Sequence, residues 1–264
     1  MQNKIKVLAI GDVVGKPGRE ALKENLPLLK KTLGIDFIVA NIENAAGGFG
    51  PTPQTMEELL SFPIDVFTTG SHIWDKKEFV NCLHLYPMVI RPANYPEENP
   101  GLGFTIRELN GLKIVVLQLQ GRVFMETLDC PFQKFSSLYP QFPKDSLVII
   151  DFHGEATSEK NAFAHYVDGK AHLVFGTHTH IPTRDERILE KGTVFITDVG
   201  MTGNYNSVIG FDKDIIISRF LKQTPQKFEV AKGKGKISAL LVSFSAPDLK
   251  PMEIKFIFGP PFNL

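Results

Sequence analysis

Cysteine is scarce, and so are the features of a secreted or membrane protein. Cys82 and Cys130 are the whole complement, too few and too isolated for a disulfide framework or a thiolate metal site. No stretch approaches the roughly 20 apolar residues of a membrane span. Net charge is missing too. The 29 Lys and Arg balance the 29 Asp and Glu, which argues against a large basic surface for nucleic acid and leaves room only for a local patch. The opening Met1-Gln2-Asn3-Lys4 runs straight into a strand-like segment with no secretory apolar region. Repeats, low-complexity tracts and convincing linkers are also lacking. Residues 1–264 are therefore expected to form one domain with a full core, and a cytoplasmic enzyme is the natural expectation.

What the sequence does contain is a set of short apolar runs, each ending on a residue type that binds metals. Leu8-Ala9-Ile10 leads into Gly11-Asp12, and Phe37-Ile38-Val39-Ala40 into Asn41-Ile42-Glu43-Asn44. Val66-Phe67-Thr68-Thr69 leads into Gly70-Ser71-His72, and Leu147-Val148-Ile149-Ile150-Asp151 into Phe152-His153. A further run closes on Phe175-Gly176-Thr177-His178-Thr179-His180. The lengths and β-branched content are those of buried strands. Open α/β sheets place ligands just beyond the carboxyl ends of their strands, so these deliveries suggest one polynuclear metal site.

The order of elements supports that geometry. Strands are expected at Lys4–Ile10, Phe37–Ala40 and Val66–Thr69. Helices are expected at Gly18–Leu33, where Leu22, Leu26, Leu29 and Leu33 recur at spacings of three and four, at Thr55–Phe62 and at Lys77–Leu85. This alternation implies parallel strands with right-handed crossovers. Phe104–Leu109, the turn Asn110-Gly111 and Lys113–Leu119 read as a hairpin. Further strands are expected at Leu147–Asp151, Leu173–Phe175, Val194–Thr197, Ile237–Phe244 and Glu253–Ile257. Helices should follow Thr157-Ser158 and occupy Ile215–Leu221. A mixed sheet pair covered by helices fits this order.

Carboxylate, imidazole and amide ligands without thiolate suit divalent manganese, iron or zinc. A bridging carboxylate such as Glu43 could hold two ions roughly 3.5–4 Å apart, and phosphoester hydrolysis would use all of these ligands. The motifs Gly11-Asp12-Val13-Val14-Gly15, Asn41-Ile42-Glu43-Asn44, His72-Ile73-Trp74-Asp75, His153-Gly154-Glu155-Ala156-Thr157-Ser158-Glu159-Lys160, Gly176-Thr177-His178-Thr179-His180 and Thr197-Asp198-Val199-Gly200-Met201-Thr202-Gly203 occur in that order. Together they resemble the YmdB-type branch of the calcineurin-like metallophosphoesterases. The resemblance implies a four-layer α/β/β/α sandwich with two mixed sheets. It also implies a bacterial phosphodiesterase of 2′,3′- and 3′,5′-cyclic nucleotides, including RNA-derived 2′,3′-cyclic phosphates, that carries two metals (iron or manganese, with zinc as a third candidate) and works as a homo-oligomer. By the same resemblance Asp12, Asn44 and His180 bind the first metal, Glu43 bridges, and His153 and His178 bind the second. His72 then stands as the acid that protonates the leaving alkoxide, a task suited to an imidazole.

The chain departs from that pattern at Ser71, where the family has Gly-Asn-His with the Asn as a ligand of the second metal. A neutral hydroxyl is shorter and a weaker ligand than an amide carbonyl, so a water-filled gap or looser second-metal binding is expected at Ser71. The rival expectation is a catalytically weak regulator that binds a nucleotide or RNA on the same fold. A second departure is shared with the branch: Asp12-Val13-Val14 stands where the wider superfamily has Asp-x-His, and Asn44 is expected to supply the missing contact. Gly15-Lys16-Pro17-Gly18-Arg19 lacks Walker spacing, although Arg19 could reach a substrate phosphate. Phe49, in the glycine-rich segment after Glu43, is available to stack on a base, and Lys232-Gly233-Lys234-Gly235-Lys236 reads as a solvated turn. Trp74 reads as packing, Asp75 as a helix cap, and His84, His165 and His172 as surface or packing residues.

Overall fold

The computed structural model describes residues 4–262, so the expectation about Met1-Gln2-Asn3 lies outside the described residues. The first half runs β1 (Lys4–Ile10), β2 (Asp12–Val13), α1 (Gly15–Leu33), β3 (Phe37–Asn41), α2 (Pro53–Leu60), β4 (Val66–Thr68), a 3-10 turn Ser71–Trp74, and α3 (Lys77–Cys82). It continues with β5 (Phe104–Leu109), β6 (Leu112–Gln120), α4 (Pro131–Leu138), β7 (Leu147–His153) and α5 (Thr157–Tyr166). The remainder is β8 (Leu173–Thr177), β9 (Arg187–Ile188), β10 (Val194–Ile196), β11 (Met201–Thr202), α6 (Lys213–Lys222), β12 (Ile237–Ser245) and β13 (Pro251–Gly259).

Two mixed sheets result. One has the order β13-β12-β1-β3-β4 and the other β5-β6-β7-β8-β10-β9, while β11 and β2 form a separate small pair. The expected parallel pairing of β1, β3 and β4 is present. In the second sheet β6, β7, β8 and β10 are parallel, with β5 and β9 as antiparallel edges.

Alternation along the strands makes the layers. Leu8 and Ile10 of β1 face α1, where Leu22, Leu26 and Leu29 form the apolar stripe. Val7 and Ala9, on the other face of the same strand, meet Ile114, Val116, Ile149 and Phe175 of the second sheet. The outer face of that sheet, including Val115, Ile150 and Val174, packs on Phe135 of α4 and Phe163 of α5. Three apolar interfaces therefore separate four layers, α/β/β/α, as expected. Burying each such aliphatic side chain contributes about 1.5–3 kcal/mol.

Several boundaries move. The first helix starts at Gly15, a turn earlier than expected, because Pro17 falls in its first turn, where a missing N–H costs nothing. Helix α2 likewise begins on Pro53 behind the Thr52 cap. The expected Lys77–Leu85 helix ends at Cys82 and tightens into a 3-10 turn, Leu83–Leu85. Helix α4 has no counterpart among the expected elements. Strands β7 and β8 run two residues further than expected, so His153 and Thr177 are the last residues of their strands. The carboxyl ends of β1, β3, β4, β7 and β8 gather at one edge of the sandwich, where Glu43, Gly70, His153 and His178 come into contact.

Candidate metal centre

Ligand atoms of Glu43, His153 and His178 all lie within 4.8 Å of one another. His153, fully buried at the end of β7, has Nε2 3.0 Å from Glu43 Oε1 and 3.1 Å from His178 Nδ1. Its other nitrogen, Nδ1, is 2.9 Å from Thr177 Oγ1, and that hydroxyl gives its own proton to Asp151 Oδ1 at 2.6 Å. The hydroxyl therefore accepts from Nδ1–H, which leaves the Nε2 lone pair of a neutral His153 aimed into the cluster. His178 follows the same logic. Its Nε2 is 3.1 Å from the Glu155 carboxylate, so Nδ1 presents its lone pair. Burial, then the neighbouring His153, pushes the His178 imidazole down to about 3.

Electrostatics tie this group together. Burial acts to raise Glu43, but the His153 charge and hydrogen bond carry its carboxyl down to about 2. Burial likewise acts to lower His153, and Glu43 lifts it to about 9. A buried carboxylate that close needs a cation, either a proton on His153 or a metal held by three converging lone pairs. Room for the cluster comes from Gly70, where a Cβ would collide with Glu43 Oε2 and His153 Nε2.

Beside it His180 pairs with Asn44, and Asp12 lies against the backbone of His178. His180 Nδ1 donates to the Ile209 carbonyl at 2.7 Å, so its Nε2 lone pair faces Asn44 Oδ1 at 3.2 Å. The amide orientation is fixed as well, since Asn44 Nδ2 donates to the Gly48 carbonyl at 2.9 Å. Two acceptors facing each other repel unless a cation lies between them. Asp12 Oδ2 accepts the His178 backbone N–H at 3.1 Å, while Oδ1 is buried with no hydrogen-bond partner among the described residues. Burial holds the Asp12 carboxyl well above the usual carboxylate range, against the pull of His153. Orphaned Asp12 Oδ1 and these facing lone pairs fit divalent cations and suit no protein partner nearby.

The His178-Thr179-His180 turn is strained, with φ at +100° for His178 and +65° for His180, a region that side chains with a Cβ rarely enter. A buried ion pair holds it there. Lys160 Nζ reaches Asp198 Oδ2 at 2.6 Å and the Thr177 carbonyl at 2.7 Å. Asp198 in turn accepts the N–H groups of Thr179 at 3.1 Å and Gly200 at 2.7 Å. The pair thus grips the backbone on both flanks of His178. Sequence reasoning gives Lys160, Asp198 and Glu155 no role, although all three lie inside the quoted motifs. Asp198 follows the β10 run just as Asp12 follows β1, and that is the available signal.

The 3-10 turn carries His72 to the rim, with its backbone N–H on Glu43 Oε2 at 3.2 Å. Asp75 is expected to cap the next helix, but it accepts from His72 Nδ1 at 2.8 Å, and α3 begins without a side-chain cap. Ser71 is half-buried beside these residues. Trp74 packs edge-on to Tyr95 at 5.2 Å, as expected of a packing residue. Two further expectations are corrected. Phe49 is engaged already, its ring edge-on to His72 at 5.0 Å and 5.5 Å from Phe211. Arg19 is occupied by Glu58 at 2.6 Å and by the Ala45 carbonyl, so it braces the loop after Glu43 and does not reach for phosphate. His84 and His165 are exposed, and His172 accepts the Val148 N–H at 3.0 Å.

A four-layer α/β/β/α sandwich with buried imidazole, carboxylate and amide donors at one strand edge defines the metallophosphoesterase class. The YmdB-like protein family matches residues 8–257, and the chain belongs to it. A Bacillus subtilis (strain 168) protein named 2′,3′-cyclic-nucleotide 2′-phosphodiesterase is 45% identical over 96% of both chains. Among solved structures, a Mycoplasma pneumoniae phosphatase superposes with a TM-score of 0.93 at 34% identity, over 98% of this chain and 94% of that one. A Thermus thermophilus protein gives 0.91 at 41% identity, over 97% and 99%. The protein is accordingly a hydrolase of phosphate esters.

Proposed function

We propose that the protein is a two-metal phosphodiesterase of cyclic nucleotides, acting on 2′,3′-cyclic monophosphates, 3′,5′-cyclic monophosphates or both. One observation carries this reading: Glu43, His153 and His178 bring ligand atoms within 4.8 Å of one another, beside a His180 Nε2 that faces Asn44 Oδ1 at 3.2 Å and an Asp12 Oδ1 that is buried without a partner among the described residues. The name of the Bacillus subtilis relative supports the substrate. Asp12, Asn44 and His180 would hold one ion, His153 and His178 the other, with Glu43 between them and Ser71 where an amide ligand is missing. Iron or manganese suits these donors best, and zinc would also fit. Such ions, when bound, acidify water and neutralise phosphoryl oxygens.

The remaining chemistry belongs to the chain. Asp75 accepts from Nδ1 of His72, which leaves Nε2 as the ring nitrogen open to a substrate. A protonated His72 can then give its Nε2 proton to the departing ribose oxygen as the P–O bond breaks. Glu43 fixes the His72 backbone at the same time as it closes the ligand set, which keeps acid and phosphorus in register. Gly70 keeps the floor open, and the Lys160–Asp198 pair holds His178 in its ligating pose.

This reading includes a single functional domain over 1–264, a cytoplasmic location, a homo-oligomeric state and RNA-derived 2′,3′-cyclic phosphates among the substrates. No helix among the described residues is long and apolar enough to cross a membrane. Ser71 favours a second reading, a weakly catalytic nucleotide- or RNA-binding regulator. Turnover of 2′,3′-cyclic AMP, 3′,5′-cyclic AMP, a phosphomonoester and a short oligonucleotide, measured beside metal analysis, separates the two. About two metal equivalents per chain with turnover of a cyclic substrate are expected for the enzyme. Tight nucleotide binding without turnover in saturating manganese would establish the regulator.

A further inference from the structure

The most exposed large apolar side chain among the described residues is Phe124, 87% accessible. It also holds φ at +62°, a left-handed backbone that bulky side chains avoid. An unrestrained loop would relax both features, but this loop is held. The buried Glu159 carboxylate accepts the N–H groups of Arg122 and Val123 at 3.0 and 3.1 Å. Gln120 Nε2 donates to Glu126 Oε2 at 2.7 Å and closes the segment 120–126 on itself. An anchored backbone thus presents an aromatic ring that the fold does not pack.

The loop borders the metal centre. Gly121 N–H donates to the carbonyl of His153 at 2.8 Å. At most about 11 Å of extended chain then separates Gly121 from Phe124. The same loop lies on the His72 side: Asn94 Nδ2 donates to the Gln120 carbonyl at 2.8 Å, Asn94 Oδ1 accepts the Gln120 N–H at 2.9 Å, and the ring of its neighbour Tyr95 packs on Trp74, two residues beyond His72.

Substrate chemistry supplies the remaining link, and it rests on the cyclic-nucleotide reading above. Opening a 2′,3′-cyclic phosphate at the P–O2′ bond leaves O2′ on the ribose carbon next to the one that bears the base. If His72 gives its proton to O2′, the base lies toward the His72 side of the site. Phe49 is already packed against His72 and Phe211.

We propose that Phe124 is the platform on which the substrate's nucleobase stacks. Every base offers a π face, so such a platform accepts purines and pyrimidines alike and makes the enzyme selective for nucleosides over simple phosphodiesters.

The test compares 2′,3′-cyclic AMP with base-free ribose 2′,3′-cyclic phosphate in wild type, Phe124→Ala, Phe124→Trp and Phe124→Gly. Phe124→Ala is expected to raise the ratio of KM for the nucleotide to KM for the base-free diester about tenfold, the size of one lost stacking contact. Phe124→Trp should keep the wild-type ratio. Phe124→Gly should lose nucleotide preference while raising the Tm, since glycine relieves the positive φ. A ratio unchanged in Phe124→Ala overturns the platform. Should the wild type hydrolyse neither substrate, the cyclic-nucleotide reading falls instead. Binding of adenosine 3′-phosphate then decides the platform separately, and equal affinity in wild type and Phe124→Ala would sink it.

Discussion

Asp75 Oδ2 lies 2.8 Å from His72 Nδ1, and the pair shares one turn at the rim of the metal centre. A carboxylate there accepts from Nδ1–H and leaves Nε2 as the ring nitrogen open to a substrate, as the proposed acid role requires. His72→Ala is expected to lower kcat by about 10²–10⁴-fold with metal content unchanged, the usual range for a lost general acid. Asp75→Ala should cost about tenfold, less because the pair is partly solvent-screened. Wild-type turnover in His72→Ala would remove the acid role from this residue.

Ser71→Asn places an amide oxygen one residue after Gly70, whose Cα side faces His153 and Glu43. Elemental analysis of anaerobically purified protein should show occupancy rising toward two ions per chain, with kcat rising in step. Unchanged occupancy would show that the serine does not limit the second ion.

Lys160→Met leaves Asp198 charged and unpaired in the interior, and should destabilise the protein by about 3–5 kcal/mol. Lys160→Met combined with Asp198→Leu removes both charges and should recover much of the Tm. It still frees the Thr177 carbonyl and the Thr179 N–H, so His178 loses its pose. The double variant is therefore expected to fold and to bind less metal, by isothermal titration, than wild type. Full metal affinity in a folded double variant would confine the ion pair to a stabilising role.

His172 gives a pH signature away from the site. Burial pushes its imidazole down to about 4, and its Nδ1 accepts the Val148 N–H. The unfolded chain protonates this residue near the ordinary value, about 6.5, while the folded chain does not until about 4. Stability therefore falls as pH drops through that window, by up to about 3 kcal/mol at its lower end. His172→Gln, which keeps an acceptor without a titrating ring, should flatten the dependence of Tm on pH between about 4 and 6.5.

The sequence discloses β1, β3, β4, β7 and β8 well because their apolar runs are short, β-branched and largely buried on both faces, while the two-residue strands β2, β9 and β11 are too short to leave a pattern. Asp12, Glu43, Asn44, His153, His178 and His180 are findable because each closes or follows such a run. Glu155 and Lys160 are not, since what they do depends on which atoms of the β8–β9 turn they touch, the His178 ring for one and the Thr177 carbonyl for the other, and periodicity carries no trace of that; Asp198 follows the β10 run, but its partners show only in the fold. Asp75 misleads for a related reason. An Asp before a helix resembles a cap, and only three dimensions reveal that the His72 ring competes for it. Phe49 and Arg19 look free in one dimension and are engaged in three. Helix α4 escapes a reading of the sequence because its eight residues bury only Pro131 and Phe135, too little apolar periodicity to stand out.

The Asp151 carboxylate, which burial lifts to about 6, accepts hydrogen bonds from Thr68 and Asn41 of one sheet and from Thr177 of the other. Asp151 and Thr177 share a sheet, so parting the sheets at this edge would break the two bonds from Thr68 and Asn41, at about 1–3 kcal/mol apiece. The two halves of the sandwich are therefore pinned to each other at this edge. Under the proposed function, substrate entry and product release are then left to the peripheral loops rather than to the sheets.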